Sequence, residues 1–179
     1  MRLGIISDTH DDVENVRNAI SIFNRQDVEC VIHAGDYVFP GIVKEFGKLN
    51  GKLIGVLGNN DGEKGHLLKN FLDVGGELKG ELGEVQIGDL KIGIYHGTSG
   101  EIKDLLVTSG KYDIIVCGHT HKREPSGIFK GKYQNDGSTL VLNPGTAHRK
   151  VESLSGAFLE GGVIIFDTES KEYTYIDLP

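Results

Sequence analysis

Residues 1–10 read MRLGIISDTH. Leu3 to Ile6 is a short apolar stretch, and Ser7, Asp8, Thr9 and His10 turn the chain polar at once. Such a run with a polar boundary predicts a first strand over Leu3–Ser7. Val13, Val16, Ala19, Ile20 and Phe23 follow at helical spacing, and Asp11 with Glu14 three residues later predicts a capping box at the start of that helix. The opening is thus a strand, a polar turn and a helix.

The same unit recurs downstream. Cys30–Ala34 reads as a second strand, followed by a helix that Pro40 opens and that carries Ile42, Val43, Phe46 and Leu49. Leu53–Leu57 reads as a third strand, and Leu67, Leu68, Phe71 and Leu72 mark another helix. Leu82–Ile87 and Leu90–Tyr95 flank the turn Gly88-Asp89, which predicts a hairpin. A helix over residues 101–109 with Ile102, Leu105 and Leu106 inward precedes a strand at Ile114–Cys117. From 127 to 178 only strands are expected, with turns at Asn135-Asp136-Gly137 and near Glu169–Lys171. Such an order predicts two packed sheets with helices outside them.

With 179 residues the chain can bury one sizeable core, and a single domain over residues 1–179 is expected. Hydrophobic residues at 38% and charged residues at 25% are the balance of a soluble globular protein. No apolar run reaches the ~18–20 residues that would cross a bilayer. The N-terminal apolar run is too short for the h-region of a signal peptide. A net charge of −7 without any basic block argues against binding a nucleic-acid backbone. Cys30 and Cys117 lie inside apolar runs and not in a C-x-x-C pair, which reads as two buried free thiols in a reducing cytoplasm.

The residues just past each strand carry the chemistry. After the first comes SDTH, with Asp8 and His10; after the second HAGD, with Asp36; after the third GNND, with Asn59, Asn60 and Asp61. His96 follows Leu90–Tyr95, and residues 114–121, IIVCGHTH, end on His119 and His121. A lone histidine at a core edge usually satisfies a local hydrogen bond, and a lone Asp after a strand is often a helix cap. In an open α/β sheet, however, the carboxyl ends of parallel strands converge on one crevice, so these groups are expected to meet. Carboxylate, imidazole and amide without thiolate suit a hard or borderline divalent ion. The set is too large for one tetrahedral ion and suits two ions that share a carboxylate, an arrangement built for in-line attack at phosphorus.

The order Asp8-x-His10, Gly35-Asp36, Gly58-Asn59-Asn60-Asp61, His96 and Gly118-His119-Thr120-His121 resembles the calcineurin-like metallophosphoesterase superfamily. The short chain, the SDTH opening and Asn143-Pro144-Gly145-Thr146 resemble its small bacterial and archaeal phosphodiesterases, a group that shares its fold with the retromer subunit of eukaryotes. The resemblance covers residues 1–147 and the final strands. It implies an α/β fold, a four-layer αββα sandwich of two mixed β-sheets flanked by helices. It implies that Asp8, His10, Asp36 and His121 hold one ion, and that Asp36 as a bridge, with Asn59, His96 and His119, holds a second. Manganese is the expected metal, with Ni, Fe, Zn, Co or Mg as alternatives. The implied activity is a metal-dependent phosphodiesterase in which a hydroxide held between the ions attacks phosphorus opposite the leaving oxygen. A small phosphodiester is the expected partner, together with further copies of the chain in a homodimer or higher homo-oligomer; a membrane and nucleic acid are not.

The chain departs from the wider superfamily at Asn60, where many members carry a histidine assigned as general acid. Asn60 can donate a hydrogen bond to a phosphoryl oxygen but delivers no proton, so His10 or His33 is the first alternative donor. Asp61 would orient a histidine at 60, or else cap the helix that follows. His33 reads as a hydrogen-bonded core residue or a group behind the ligands, and His66 and His148 as surface residues. Arg149 reads as exposed, with phosphate contact as the alternative. Lys122–Thr139 is a long insertion that could shape access to the site. Two other functions compete: a protein-interaction scaffold with a vestigial metal site, and a phosphomonoesterase.

Overall fold

Each apolar run of the first half becomes a strand whose polar sequel lies at one end of a sheet. In chain order the elements are β1 (Arg2–Ile6), α1 (Val13–Arg25), β2 (Cys30–His33), a 3₁₀ helix (Pro40–Lys48), β3 (Lys52–Gly55), α2 (Lys64–Asp73), β4 (Glu77–Leu78), β5 (Leu82–Ile87), β6 (Leu90–Tyr95), α3 (Gly100–Thr108), β7 (Ile114–Val116), β8 (Arg123–Glu124), β9 (Lys130–Lys132), β10 (Leu140–Pro144), β11 (Gly162–Asp167) and β12 (Glu172–Asp177). The computed structural model describes residues 1–126, 130–134, 136–148 and 161–179.

Among the described residues one sheet has seven strands in the order β4-β3-β2-β1-β11-β12-β9, and the other five in the order β5-β6-β7-β10-β8. β1 to β4 run parallel, while β11, β12 and β9 join antiparallel. In the second sheet β6, β7 and β10 are parallel, with β5 and β8 antiparallel at its edges. Both sheets are therefore mixed, and helices flank them as expected.

Alternation along the strands divides the core in two. Leu3, Ile5 and Ile32 of the first sheet meet Ile92, Ile94, Ile114 and Val116 of the second. Ile6, Val31 and Leu53 point the other way, onto Val16 and Phe23 of α1, Val43 and Phe46 of the 3₁₀ helix, and Phe71 of α2. Each fully buried side chain of this kind contributes about 1.5–3 kcal/mol. Among the described residues no helix is long and apolar enough to cross a membrane.

Several local expectations need correction. Asp12, not Asp11, caps α1 and accepts from the Asn15 N–H, while the Asp11 carboxylate accepts from the Phe39 N–H. The segment opened by Pro40 is a 3₁₀ helix, and Leu49 lies just past its end; two glycines and the β-branched pair Ile42-Val43 lower its α propensity. In α2 the inward residues are Leu67, Asn70 and Phe71, while Leu68 and Leu72 are exposed. Asn70 sets that rotation by donating to the Pro40 carbonyl at 2.8 Å. In α3 Ile102 and Leu105 face solvent, at 47% and 68% exposure. The half-buried stripe is Lys103, Leu106 and Val107, because Lys103 turns in to pair with Glu124 at 2.8 Å. Asn135 of the expected second-half turn and Arg149 lie outside the described residues.

Candidate metal centre

β1, β2 and β3 run parallel, as do β6 and β7, so the loops after them gather where the two sheets meet. The backbone there is unusual: Asp8, His10, Asp36, His119 and His121 have φ of 54°, 39°, 60°, 68° and 56°. Side-chain-bearing residues enter the left-handed region rarely, at a cost of order 1–3 kcal/mol each, and such residues cluster at functional sites. Close approach dictates the glycines between them. A Cβ on Gly118 would collide with Ser7 and the Asp8 carboxylate, and one on Gly58 with the Asp36 carboxylate.

Among the described residues two triads result, Asp8–His10–His121 and Asp8–Asp36–His96, with Asp8 common to both. Around Asp8 Oδ1 lie His121 Nε2 at 3.2 Å, His10 Nε2 at 3.7 Å and His96 Nε2 at 3.9 Å. His10 and His121 bring their Nε2 atoms to 3.1 Å. His96 donates from Nδ1 to the Ala34 carbonyl at 2.7 Å, which leaves Nε2 as the bare nitrogen, 3.3 Å from Asp36 Oδ2. Anchoring one ring nitrogen on a carbonyl is how proteins orient a histidine for a metal. Among the described residues, neither Asp8 Oδ1 nor His96 Nε2, both buried, has a hydrogen-bond partner. Buried acceptors that converge in this way suit a cation, and oxygen with imidazole fits a divalent one.

The titration of these groups has the same origin. Burial alone would raise the Asp8 carboxyl, yet the imidazoles of His10 and His121 beside it hold it well below the usual carboxylate range. Burial likewise opposes the charge on Asp36, but His96 and the Asn60 N–H hold it down. Asp8 raises His10. Burial would lower His96, but Asp36 and Asp8 carry it above its ordinary value.

The other expected site residues lie near the triads but outside them. The His119 N–H donates to Asp8 Oδ2 at 3.0 Å, and its ring packs edge-on against His96 with centroids 5.2 Å apart. Asn59 is exposed, with Oδ1 accepting from the Thr98 hydroxyl at 3.4 Å. Asn60 is exposed, yet it directs its amide onto Asp36. Its backbone N–H donates to Asp36 Oδ1 at 2.9 Å and its amide to Oδ2 at 2.7 Å. Asp61 does not cap α2, whose first turn has no side-chain cap. It accepts instead from the N–H groups of Asp36, Tyr37, Val38 and Gly58 at 2.7–3.0 Å, clamping the Asp36 loop to the end of β3.

The Asn-Pro-Gly-Thr stretch has a task that its sequence does not spell out. The Thr146 hydroxyl and the His148 N–H both donate to the Asp8 carbonyl, and Asn143 Nδ2 donates to the Gly118 carbonyl, so one loop braces two ligand loops. His148, read as a surface residue, stands at the rim with its ring 6.1 Å from that of His10 and Nδ1 3.8 Å from Asp12 Oδ2. Only its place just after the Thr146 brace could have marked it. A cleft of about 270 Å³ lined by Gly58, Asn59, Lys64, Glu81, Tyr95 and Thr98 opens beside the Asp36 loop. A larger cavity of about 460 Å³, between Glu124, Tyr133 and Leu140, shares no residue with the triads. The described part of the Lys122–Thr139 insertion thus lines a separate hollow.

Residues 1–171 match the family model of the calcineurin-like phosphoesterase superfamily domain. The chain belongs to that superfamily. It is 40% identical to a phosphodiesterase of Methanocaldococcus jannaschii over 99% of each chain. Among solved structures of the superfamily fold, an archaeal phosphodiesterase superposes with a TM-score of 0.83 at 39% identity, covering 99% of this chain and 100% of that one. Vps29 of Entamoeba histolytica, solved with Zn²⁺, shares the fold at a TM-score of 0.63 and 19% identity, over 97% of this chain and 89% of the other. A phosphoesterase of E. coli does so at 0.63 and 15%, over the full length of both.

Proposed function

We propose that this calcineurin-like phosphoesterase is a metal-dependent phosphodiesterase acting on a small phosphodiester. The observation that carries the reading is the convergence of ring nitrogens on a buried, unpartnered carboxylate oxygen, Asp8 Oδ1. The likeness to a phosphodiesterase over nearly the whole chain supports the substrate class.

In this reading Asp8, His10, Asp36 and His121 hold one divalent ion, and Asp36, Asn59, His96 and His119 the second. Bound there, the metal supplies Lewis acidity and lowers the pKa of water toward neutrality. Manganese is our first choice, with Ni, Fe, Zn, Co and Mg as alternatives for the same oxygen and imidazole donors. The chain's own contribution is placement: His96 is oriented by Ala34, Asp36 by Asn60 and Asp61, and Asp8 by the Thr146 brace. The cleft beside Asn59 receives one ester group of the substrate. We place the protein in the cytoplasm, in keeping with two buried, unpaired cysteines, Cys30 and Cys117.

The test is a hydrolysis screen of the metal-stripped protein with each divalent ion added back, using activated diesters, monoesters and cyclic nucleotides. Diester cleavage that returns with Mn²⁺ is expected. Metal uptake without hydrolysis of any ester would favour a scaffold, and faster monoester cleavage a phosphomonoesterase.

A further inference from the structure

Thr9 and His33 belong to neither triad, yet both are fully buried between the loops that carry Asp8, His10 and Asp36. The Gly35 N–H donates to His33 Nδ1 at 3.2 Å, so Nδ1 is an acceptor and the ring hydrogen sits on Nε2. His33 Nε2 faces Thr9 Oγ1 at 3.3 Å, and the Thr9 hydroxyl donates onward to the Asp36 carbonyl at 3.4 Å. The three bonds run one way, from the N–H of Gly35 to the carbonyl of Asp36. They brace two consecutive residues with φ of 100° and 60°. A side-chain-bearing residue keeps such a backbone only where its surroundings over-determine it.

The ring itself is fixed. It stacks on Tyr37 with centroids 3.8 Å apart and meets the edge of Phe46 at 5.9 Å. Burial pushes its pKa down to about 3, so it stays neutral, with one donor and one acceptor. Two further bonds close the seam: the Asp8 N–H donates to the Gly35 carbonyl at 3.0 Å and the His10 N–H to the Asp36 carbonyl at 3.3 Å.

We propose that His33, acting through Thr9, is a positioning residue that sets Asp8 and His10 against Asp36 and thereby the affinity of the centre for divalent ions. The inference rests on the metal-dependent reading above. His33 touches neither substrate nor ion; it acts by holding the Gly35-Asp36 backbone and the Thr9 hydroxyl at one spacing.

The experiment is calorimetric titration of the metal-free, full-length protein with Mn²⁺, with its melting temperature measured alongside. Thr9→Val removes the hydroxyl at nearly constant volume, Thr9→Ser keeps it, and His33→Phe keeps the stacked ring but loses both nitrogens. Thr9→Val and His33→Phe should each weaken Mn²⁺ binding by roughly 10–100-fold, the usual loss for partners behind a ligand. Thr9→Ser should bind close to the parent. The double variant should bind no more weakly than the weaker single, since both break one chain of bonds. Parent-like affinity in Thr9→Val, or losses that multiply in the double variant, would overturn the proposal. So would a His33→Phe variant with a lowered melting temperature but unchanged affinity. If His33→Phe does not fold, the contrast between Thr9→Val and Thr9→Ser decides. A parent that takes up no divalent ion would sink the phosphodiesterase reading itself, whereas an indifferent Thr9→Val beside a parent that binds sinks only the role of His33.

Discussion

The two triads that share Asp8 differ in how they are held. Asp36 and His96 have side chains only 2% and 1% exposed, and each is fixed from behind, His96 by Ala34 and Asp36 by Asn60. His10 and His121 stand at the rim, 22% and 29% exposed, with their ring nitrogens facing each other. The buried pair comes from the ends of β2 and β6, one strand in each sheet, so sheet packing sets its geometry. The rim pair comes from loops of left-handed backbone after β1 and β7, and rests on Asp8 between them. Preorganisation is thus uneven across a single centre, and the buried half should take the first ion.

Removing the carboxylate that serves both ions is the harshest test of that comparison. Asp36→Ala should abolish Mn²⁺ uptake in both halves and cut diester hydrolysis by roughly a thousandfold or more, since it serves both ions and a catalytic metal is worth several kcal/mol. Asp8→Ala should lose the ion held with His10 and His121 and keep the other. His121→Ala should lose only the more weakly held ion. Elemental analysis of the purified variants reads this directly, and two ions retained in Asp36→Ala would refute its role in both halves.

Next in size is the clamp behind the buried half. Asp61→Ala leaves four backbone N–H groups without their carboxylate, those of Asp36, Tyr37, Val38 and Gly58. Hydrogen bonds to a charged group are worth about 1.5–3 kcal/mol each, and breaking a buried charged network costs about 3–5 kcal/mol in all. For a chain of this size the melting temperature should fall by roughly 6–20 °C. A smaller fall would mean that the Asp36 loop holds its left-handed backbone without Asp61, and that the buried half owes its rigidity to the sheets alone.

How far the sequence could be read follows the same division. Strands and their polar sequels were legible because a strand's period and its boundary are local properties, and parallel strand ends must converge. Asp8, His10, Asp36, His96 and His121 are therefore recognisable from the order of residues alone. Helix rotation was less legible. The apolar stripe expected on α3 is turned one residue, because the Lys103–Glu124 pair, a contact between distant segments, decides which face turns in. The same holds for α2, where buried Asn70 outweighs the exposed Leu68 and Leu72. The duties of Asp61 and Thr146 were hidden for a related reason. Both serve backbone groups far away in sequence, and no spacing announces a carboxylate that binds the N–H groups of residues 36–38.

The smallest expected effect concerns Asn60. With an amide at this position and no proton to give, aryl phosphodiesters should be hydrolysed well ahead of alkyl ones, because a phenolate leaves unaided and an alkoxide does not. Installing an imidazole with Asn60→His would be expected to narrow that gap by the ~10²–10⁴-fold typical of general acid catalysis, provided that something orients the ring. Asp61 is the neighbour that would do so, but both of its oxygens are already taken up by four N–H groups. The new ring would also surrender the amide bond to Asp36 Oδ2, loosening the half of the centre that is best held. We therefore expect Asn60→His to narrow the gap by less than about tenfold, well short of that general-acid range. The slope of log rate against leaving-group pKa measures it, steep in the parent and nearly as steep in the variant. A shallow slope in the parent would mean that another side chain already supplies the proton. His33 cannot be that donor, being sealed behind Thr9 with both nitrogens engaged. His148 can reach the rim beside His10, so His148→Ala would then be the variant to steepen the slope.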